Sequence, residues 1–554
     1  MDAAAFRDAV REKRALAGVK VHGGDLSGID CTGVDLAGSQ FTSVTLELAN
    51  FRRAVLKGAF FRSCRLNGAV FDDAAMEKVE LTACSATSVS MRRADLCDAK
   101  IHRSDISGGV LTDAALNGAV IGETVMHGAV MDGALIRGAM LMGLDLSKVR
   151  SLPIDCDGAF FDQSDLSGLM LAERSFEGSS LASCNLSGAD LTNVNFYKAV
   201  LIQADLRGAV IADCTFRCAS LEEAKFDRAG MLRCDLVGAS FSRVDFSVCD
   251  FRGHDLQQCT FTQCDLRRAM FSDTTLDHAS FLDCGLEEAD FSGLVLESVI
   301  FAKSRLAGAN FSNTTLNSCI LADATFTRSS ETMPLARLVD ARLLGTDFDG
   351  VDISGLYIER VAFIRCGLRG RDLSRRNLRG CDFTQGDCSG AKFIGSDLSG
   401  VCIENCSFLG ADLLHARLEN AKGATPNFMR ANLLGASLRD AVLPCANFEA
   451  ACMAGADLRG LDAVRGVFVR ACMENVDVSN ADLRYADLSY AWLDGATGTG
   501  VRLAGANVHG VAGEHLIDEA LMAAASGTDQ DRMDADHWRA PKAPRELHGA
   551  GGIE

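Results

Sequence analysis

Four side chains of the metal-ligating kind stand five residues apart near the middle of the chain: Cys249, His254, Cys259 and Cys264. Three thiols and an imidazole are a donor set that zinc accepts, and Cys234 and Cys284 belong to the same five-residue series. Against a metal stands the regularity of the spacing, which holds far beyond these residues. Phe251, Leu256 and Phe261 alternate with the donors and claim the space between them. The expectation is therefore no metal and no cofactor, with the thiols reduced. Thirteen of the 22 cysteines share the position of Cys259 within the repeat described below, and Cys31, Cys156 and Cys388 take the position of its large apolar residue. A small buried hydrophobe explains them, and so many thiols suit a reducing compartment. The other nine histidines form no spaced set with Ser or Cys, and no P-loop, dinucleotide fingerprint, nucleophile elbow or H-E-x-x-H pattern occurs. Catalysis is not expected.

A second concentration is cationic. Arg360, Arg365, Arg369, Arg371, Arg375, Arg376 and Arg379 fall within twenty residues, opposed chiefly by Glu359 and Asp372. Such a cluster is either a solvated face or a docking belt for an anionic surface. The net charge of the chain is −19, and 28 of its 74 acidic residues are Asp at one fixed position of the repeat, so the acidity is distributed. It amounts to −12 over residues 1–326, −2 over 327–508 and −5 over 509–554.

The element that positions all of these residues is a pentad. From Val21 a large apolar residue, usually Leu or Phe, recurs at every fifth position to Phe326, with Ser151 the one polar lapse. A second register runs from Leu338 to Val508, with lapses at Gly423 and Gly498. With that residue called i, position i−2 is small, i−1 is often Asp or Asn, and i+2 is often Gly. Period five fits neither helix nor strand, so the chain turns a corner in every pentad. Phe241, Phe261, Phe281 and Phe301 lie twenty apart, as do Phe251, Phe271, Phe291 and Phe311. Four pentads therefore close one coil, and residues twenty apart are expected to touch. Arg371 and Arg376 occupy i−2, where small residues belong, so their coil is expected to be disturbed, with both guanidinium groups reaching outward.

The tandem pattern, stated plainly by Ala189-Asp190-Leu191-Thr192-Asn193 and Ala481-Asp482-Leu483-Arg484-Tyr485, resembles the pentapeptide repeat family. The resemblance implies an all-β fold: a right-handed quadrilateral β-helix solenoid of about 24 coils, stacked at the inter-strand spacing of about 4.8 Å. Short capping helices are expected at both ends, because an open coil exposes apolar core and unpaired backbone. The expected organisation is an N-terminal cap over 1–20, with Asp2 as N-cap and Phe6 and Val10 on one face. A first β-helix run follows over 21–326, a register break over 327–337 and a second run over 338–508. A C-terminal cap helix over 509–527 comes next, centred on Glu514 to Ala525, and then a disordered tail over 528–554. Ser151-Leu152-Pro153 reads as a bulged corner, and Lys422-Gly423-Ala424-Thr425-Pro426 as a weak coil.

The function that follows is a non-catalytic binding rod for other proteins, with no direct nucleic-acid contact and no membrane span. Large members of the family occur among bacterial secretion-system accessory proteins, including type VI, and the length of this chain matches that group. The alternative implied by the resemblance is a duplex-DNA mimic that binds type II topoisomerases such as gyrase and protects them from quinolones. One net charge per roughly 6 Å of rod is thin beside the one per about 1.7 Å of duplex DNA. The N-terminus has no basic region followed by an apolar one, so the expected location is the cytoplasm, or export by a route that needs no signal peptide.

Overall fold

The structure, a computed structural model, describes residues 1–227, 233–326, 336–348, 351–513, 516–517, 525–527, 529–531 and 535. The pentad acts first as a corner. In the pentad around Leu26, the Ile29 N–H donates to the Leu26 carbonyl (3.2 Å) and closes a turn. Gly28 sits at φ 64°, and a positive φ at the third turn residue marks a type II geometry that favours Gly. Asp25 at i−1 accepts from the Ser27 N–H (2.8 Å) and the Ser27 hydroxyl (2.5 Å). These two bonds hold its carboxyl below the usual range. Asp30 and Asp190 are held low in the same way by Thr32 and Thr192. The recurrent Asp is thus a corner-forming residue before it is a surface charge.

Coils join through parallel rungs. The Leu26 N–H donates to the Thr45 carbonyl (2.7 Å), and the Gly28 N–H to Glu47 (2.8 Å). On one side the rungs widen into three-residue strands: β1 (Lys20–His22), β2 (Gln40–Thr42), β3 (Phe60–Arg62), β4 (Glu80–Thr82), β5 (Lys100–His102) and β6 (Val120–Gly122), each pairing with the next in order. Asp25↔Thr45, Asp30↔Asn50 and Asp35↔Val55 supply the other three sides of the first coil, so the solenoid is four-sided with a twenty-residue step.

The chain divides into two compact units, Met1–Ile320 with Ala324–Thr327, and Leu321–Asp323 with Arg328–Glu554. The division falls beside the register break, of which residues 327–335 lie outside the described residues. In the first unit, rungs recur every twenty residues from Lys20 to Ile320, making sixteen levels. In the second they recur from Arg342 to Arg502, making nine. The expected count of about 24 coils compares with sixteen levels in the first unit and nine in the second.

The core is the i position. Phe241, Phe261, Phe281 and Phe301 stack with ring centroids 5.1 Å apart at each step. Phe251, Phe271, Phe291 and Phe311 stack at 5.2, 4.8 and 5.1 Å. In the second unit, Phe408, Phe428, Phe448 and Phe468 do the same at 4.9, 5.0 and 4.9 Å. Contact at twenty residues is the direct consequence of coils closing after four pentads.

The ends and lapses show where local rules yield. Helix α1 (Ala3–Arg11) has Asp2 as N-cap, accepting from the Ala5 N–H at 2.8 Å. It buries Phe6 and Ala9, and the Phe6 ring meets Phe41 edge-on at 5.6 Å, closing the first coil. Val10, expected inward beside Phe6, is only half-buried. At Ser151 one extra residue bulges: both the Arg150 and Ser151 N–H groups face the Ala129 carbonyl (2.8 and 3.4 Å). Ser151 takes the outward rung with Val130, and Leu152, 2% exposed, fills the inward place that Ser151 leaves. Gly423 keeps its coil, since a Cβ there would lie 2.5 Å from the Glu404 nitrogen.

The C-terminal segment departs from the expected helix. Leu516–Ile517 is a strand pairing with Thr497–Gly498, because the last coil offers an open backbone edge that a strand satisfies directly. The rest of the expected helix lies mostly outside the described residues. In the stretch expected to be disordered, Gln530 and Asp531 are helical, and the Asp529 N–H donates to His509 Nδ1 (3.2 Å). The remainder of 528–554, Ala535 apart, lies outside the described residues.

Candidate interaction surface

The arginine-rich coil is one place where backbone pairing changes. Among the described residues, Asp372 and Asn377 form no rung with the coil before them, although each pairs forward, with Lys392 and Asp397. The two preceding carbonyls that such rungs would use are taken by side chains. Arg371 Nη1 donates to the Val351 carbonyl (2.9 Å) and Nε to the Arg369 carbonyl (3.1 Å). Arg376 Nη1 donates to the Leu356 carbonyl (3.1 Å). On the next side the regular bond returns, from the Asp382 N–H to the Val361 carbonyl (3.1 Å). Two adjacent sides of this coil are therefore opened, and guanidinium groups bridge the gap.

The cause is steric and electrostatic. Ala or Cys at i−2 lets neighbouring coils close to rung distance; a single Arg is accommodated there, since Ser175 after Arg174 keeps its rung with Asp155, but at the adjacent Arg371 and Arg376 both rungs are lost. A guanidinium is weakly hydrated for a cation and presents a fork of donors, so backbone carbonyls offset part of its desolvation. The expectation of a disturbed coil holds in this geometry. The expectation that both groups reach outward does not: Arg371 and Arg376 are half-buried and point at carbonyls of the preceding coil.

The other five arginines differ in their partners. Arg360 holds Asp340 in a two-pronged pair (2.7 Å from both Nε and Nη2) and also meets Glu359. This pairing keeps the Asp340 carboxyl below the usual range. Arg369 lies 3.5 Å from Asp387, and Arg379 lies 3.7 Å from Asp397. Arg365 and Arg375 are exposed and make no ion pair among the described residues. Four-sided winding puts Arg375 and Arg376 at the corner between the two opened sides, with Arg369 and Arg379 at the corners on either side of it. Arg365 belongs to the diagonally opposite corner, so the seven do not form one patch. Lys392, which the sequence reading passed over, joins the group by pairing in register with Asp372. Its signal was available, since it lies twenty residues beyond Asp372.

The thiol and imidazole level is built differently. Cys259 and Cys264 are buried, and Cys249 and His254 half-buried, on consecutive sides of the coil. Cys259 Sγ donates to the Leu236 carbonyl (3.0 Å) and Cys264 Sγ to Phe241 (3.5 Å). Burial pushes the Cys259 thiol up to about 12. Phe251 stands between neighbours as expected, its ring 5.4 Å from Phe246, 6.2 Å from His254 and 6.4 Å from Phe261. Among the described residues, no group of three or more His, Cys, Asp or Glu side chains is arranged to hold a metal ion. Nor is any helix among them long and apolar enough to cross a membrane.

Comparison with known proteins follows the same pattern. A family model described as "Pentapeptide repeat region" matches residues 224–311. A second, "Pentapeptide repeats (8 copies)", matches 16–53, 46–82, 175–211, 301–330, 363–400, 372–410, 427–460, 467–497 and 481–511. Together they span more than half of the chain. No curated protein matches it. Among solved structures the chain is similar to QnrB1, a plasmid-mediated fluoroquinolone resistance protein, at 22% identity over 35% of this chain and 83% of that one, with a TM-score of 0.20. It is similar to HetL, a pentapeptide repeat protein involved in heterocyst differentiation regulation from the cyanobacterium Nostoc sp. strain PCC 7120, at 19% identity over 48% and 94%, TM-score 0.17. It is also similar to the PL6 family alginate lyase AlyGC, at 9% identity over 95% and 98%, TM-score 0.19.

Proposed function

Because this chain belongs to the pentapeptide repeat family, we propose that it is a non-catalytic scaffold that docks the anionic surface of another protein at its two opened sides, which carry Arg371, Arg375 and Arg376 and are flanked by Arg369 and Arg379. One observation carries the reading. At Asp372 and Asn377 the repeat gives up backbone rungs, and two half-buried guanidinium groups take their carbonyls. The arginines beside these sides form a concentrated donor surface, which suits carboxylates. The test replaces Arg369, Arg371, Arg375 and Arg376 together with Ser and measures capture of partners from the native host across a salt series. The expected result is an unchanged circular dichroism spectrum with weaker, less salt-dependent capture. Unchanged capture by the folded variant overturns the docking role.

Partner identity is a finer proposal. A secretion-apparatus component, of the type VI kind, is one such partner for the arginine-rich sides, and its test is co-purification with spike or effector components. A type II topoisomerase is supported by the −12 charge of residues 1–326, and its test is inhibition of gyrase supercoiling by the first unit's surface. The two readings use different units of the chain, so the arginine variant abolishes the first and leaves the second intact.

A further inference from the structure

One outward row of the second unit holds two thiols side by side. The i−1 residues Lys392, Asp412, Asn432, Cys452, Cys472 and Trp492 succeed one another by parallel rungs in register. Side chains on this row reach across neighbouring coils, as the Asn432 Nδ2 bond to Asp412 Oδ1 (2.9 Å) shows. Cys452 and Cys472 are direct partners in the row. Their rung is fixed by the Met453 N–H to the Cys472 carbonyl (2.7 Å) and the Cys472 N–H to Ala451 (2.9 Å). Both are half-buried, unlike the inward thiols, such as Cys259 and Cys264, that donate to core carbonyls.

Spacing selects the chemistry. Parallel strands stand about 4.8 Å apart, and in-register side chains leave the backbone side by side, so their Cβ atoms keep about that separation. A disulfide needs about 3.5–4.5 Å between Cβ atoms, closer than the rung holds them. Two metal–thiolate bonds of about 2.3 Å each, laid end to end, span about 4.6 Å. Thiolates take Cu(I) and zinc alike, but zinc asks for four ligands, and a site of two thiolates leaves Cu(I). Trp492, the next residue of the row, borders the pair on one side with an indole, which suits a weakly hydrated soft ion better than a hard one.

We propose that Cys452 and Cys472 form a two-thiolate binding site for a soft monovalent cation of the Cu(I) class. Binding joins one cation to two sulfurs and releases two protons, with no change of oxidation state. Uptake therefore strengthens as pH rises, because the protons must leave.

The experiment uses the reduced full-length chain with Cu(I) supplied from a bicinchoninate buffer. Peptide mass spectrometry then reads iodoacetamide alkylation at each cysteine. The expected result is joint protection of Cys452 and Cys472 at one equivalent of Cu(I). Protection of the remaining thiol should weaken about 100-fold or more in Cys452→Ser or Cys472→Ser, because a chelating pair is reduced to a single contact. The exposed Cys445 serves as a control, and Cys445→Ser should leave protection unchanged. Equal alkylation of Cys452 and Cys472 with and without Cu(I) overturns the proposal. So does a Cys452–Cys472 disulfide in place of the protected thiols, or protection that survives either single replacement.

Discussion

Replacing Phe261 with Ala tests the packing rule on which the rest depends. The Phe261 side chain is 0% exposed and lies 5.1 Å, ring to ring, from both Phe241 and Phe281. Phe246 and Phe251 meet its edge at 6.2 and 6.4 Å. Truncation removes the middle of a three-ring stack, and core Phe→Ala changes cost about 3–5 kcal/mol. Each lost aromatic pair accounts for about 0.5–1.5 kcal/mol beyond area alone, so the upper half of the range is expected here. In a solenoid each coil touches only its neighbours, so the loss should stay local. Hydrogen exchange read by mass spectrometry is the suitable assay, since a long repeat array need not unfold in one step. Peptides covering 240–242, 260–262 and 280–282 should lose protection equivalent to several kcal/mol, while those covering 40–42 and 60–62 should not change. A loss under about 1 kcal/mol, below the range for buried Phe, would refute the stacked-core reasoning. So would a loss spread evenly along the unit.

Two other outcomes follow from the corners. Gly423 lies at φ 151° with a Cβ position 2.5 Å from the Glu404 nitrogen, whereas Gly28 at φ 64° has nothing within 4 Å. Gly423→Ala should therefore cost more than the roughly 1–2 kcal/mol expected for a left-handed Ala at Gly28, and urea denaturation of the two variants checks the order. Asp145 is held at about 2, first by the Ser147 hydroxyl, then by Lys148 and His127. Asp250 is held at about 2 chiefly by Arg252. A depressed carboxyl contributes stability that is present above the ordinary carboxylate range and lost as pH falls through its folded value. Denaturation midpoints should hold above about pH 4 and drop toward pH 2, and Asp145→Asn should flatten part of that drop.

The pentad determined by itself which residues face inward, that the chain turns once per five residues, and that contact recurs at twenty. It does so because each corner is a local construction: a turn closed within four residues, a carboxylate bonded two residues on, and a φ that Gly adopts without strain. The same locality made the N-terminal cap legible through Asp2 and Phe6. Position i−2 also marked Arg371 and Arg376 as misfits, but their inward bonds to Val351 and Leu356 depend on carbonyls twenty residues away. No local rule reports whether a long side chain turns in or out. Leu152 taking the place of Ser151, and Leu516–Ile517 pairing as a strand within a stretch whose local pattern is helical, have the same origin. In each, the deciding partner is an open position in a neighbouring coil, and only the folded chain brings it near. Cys452 and Cys472 were two outward thiols among 22 cysteines until the rung set them side by side.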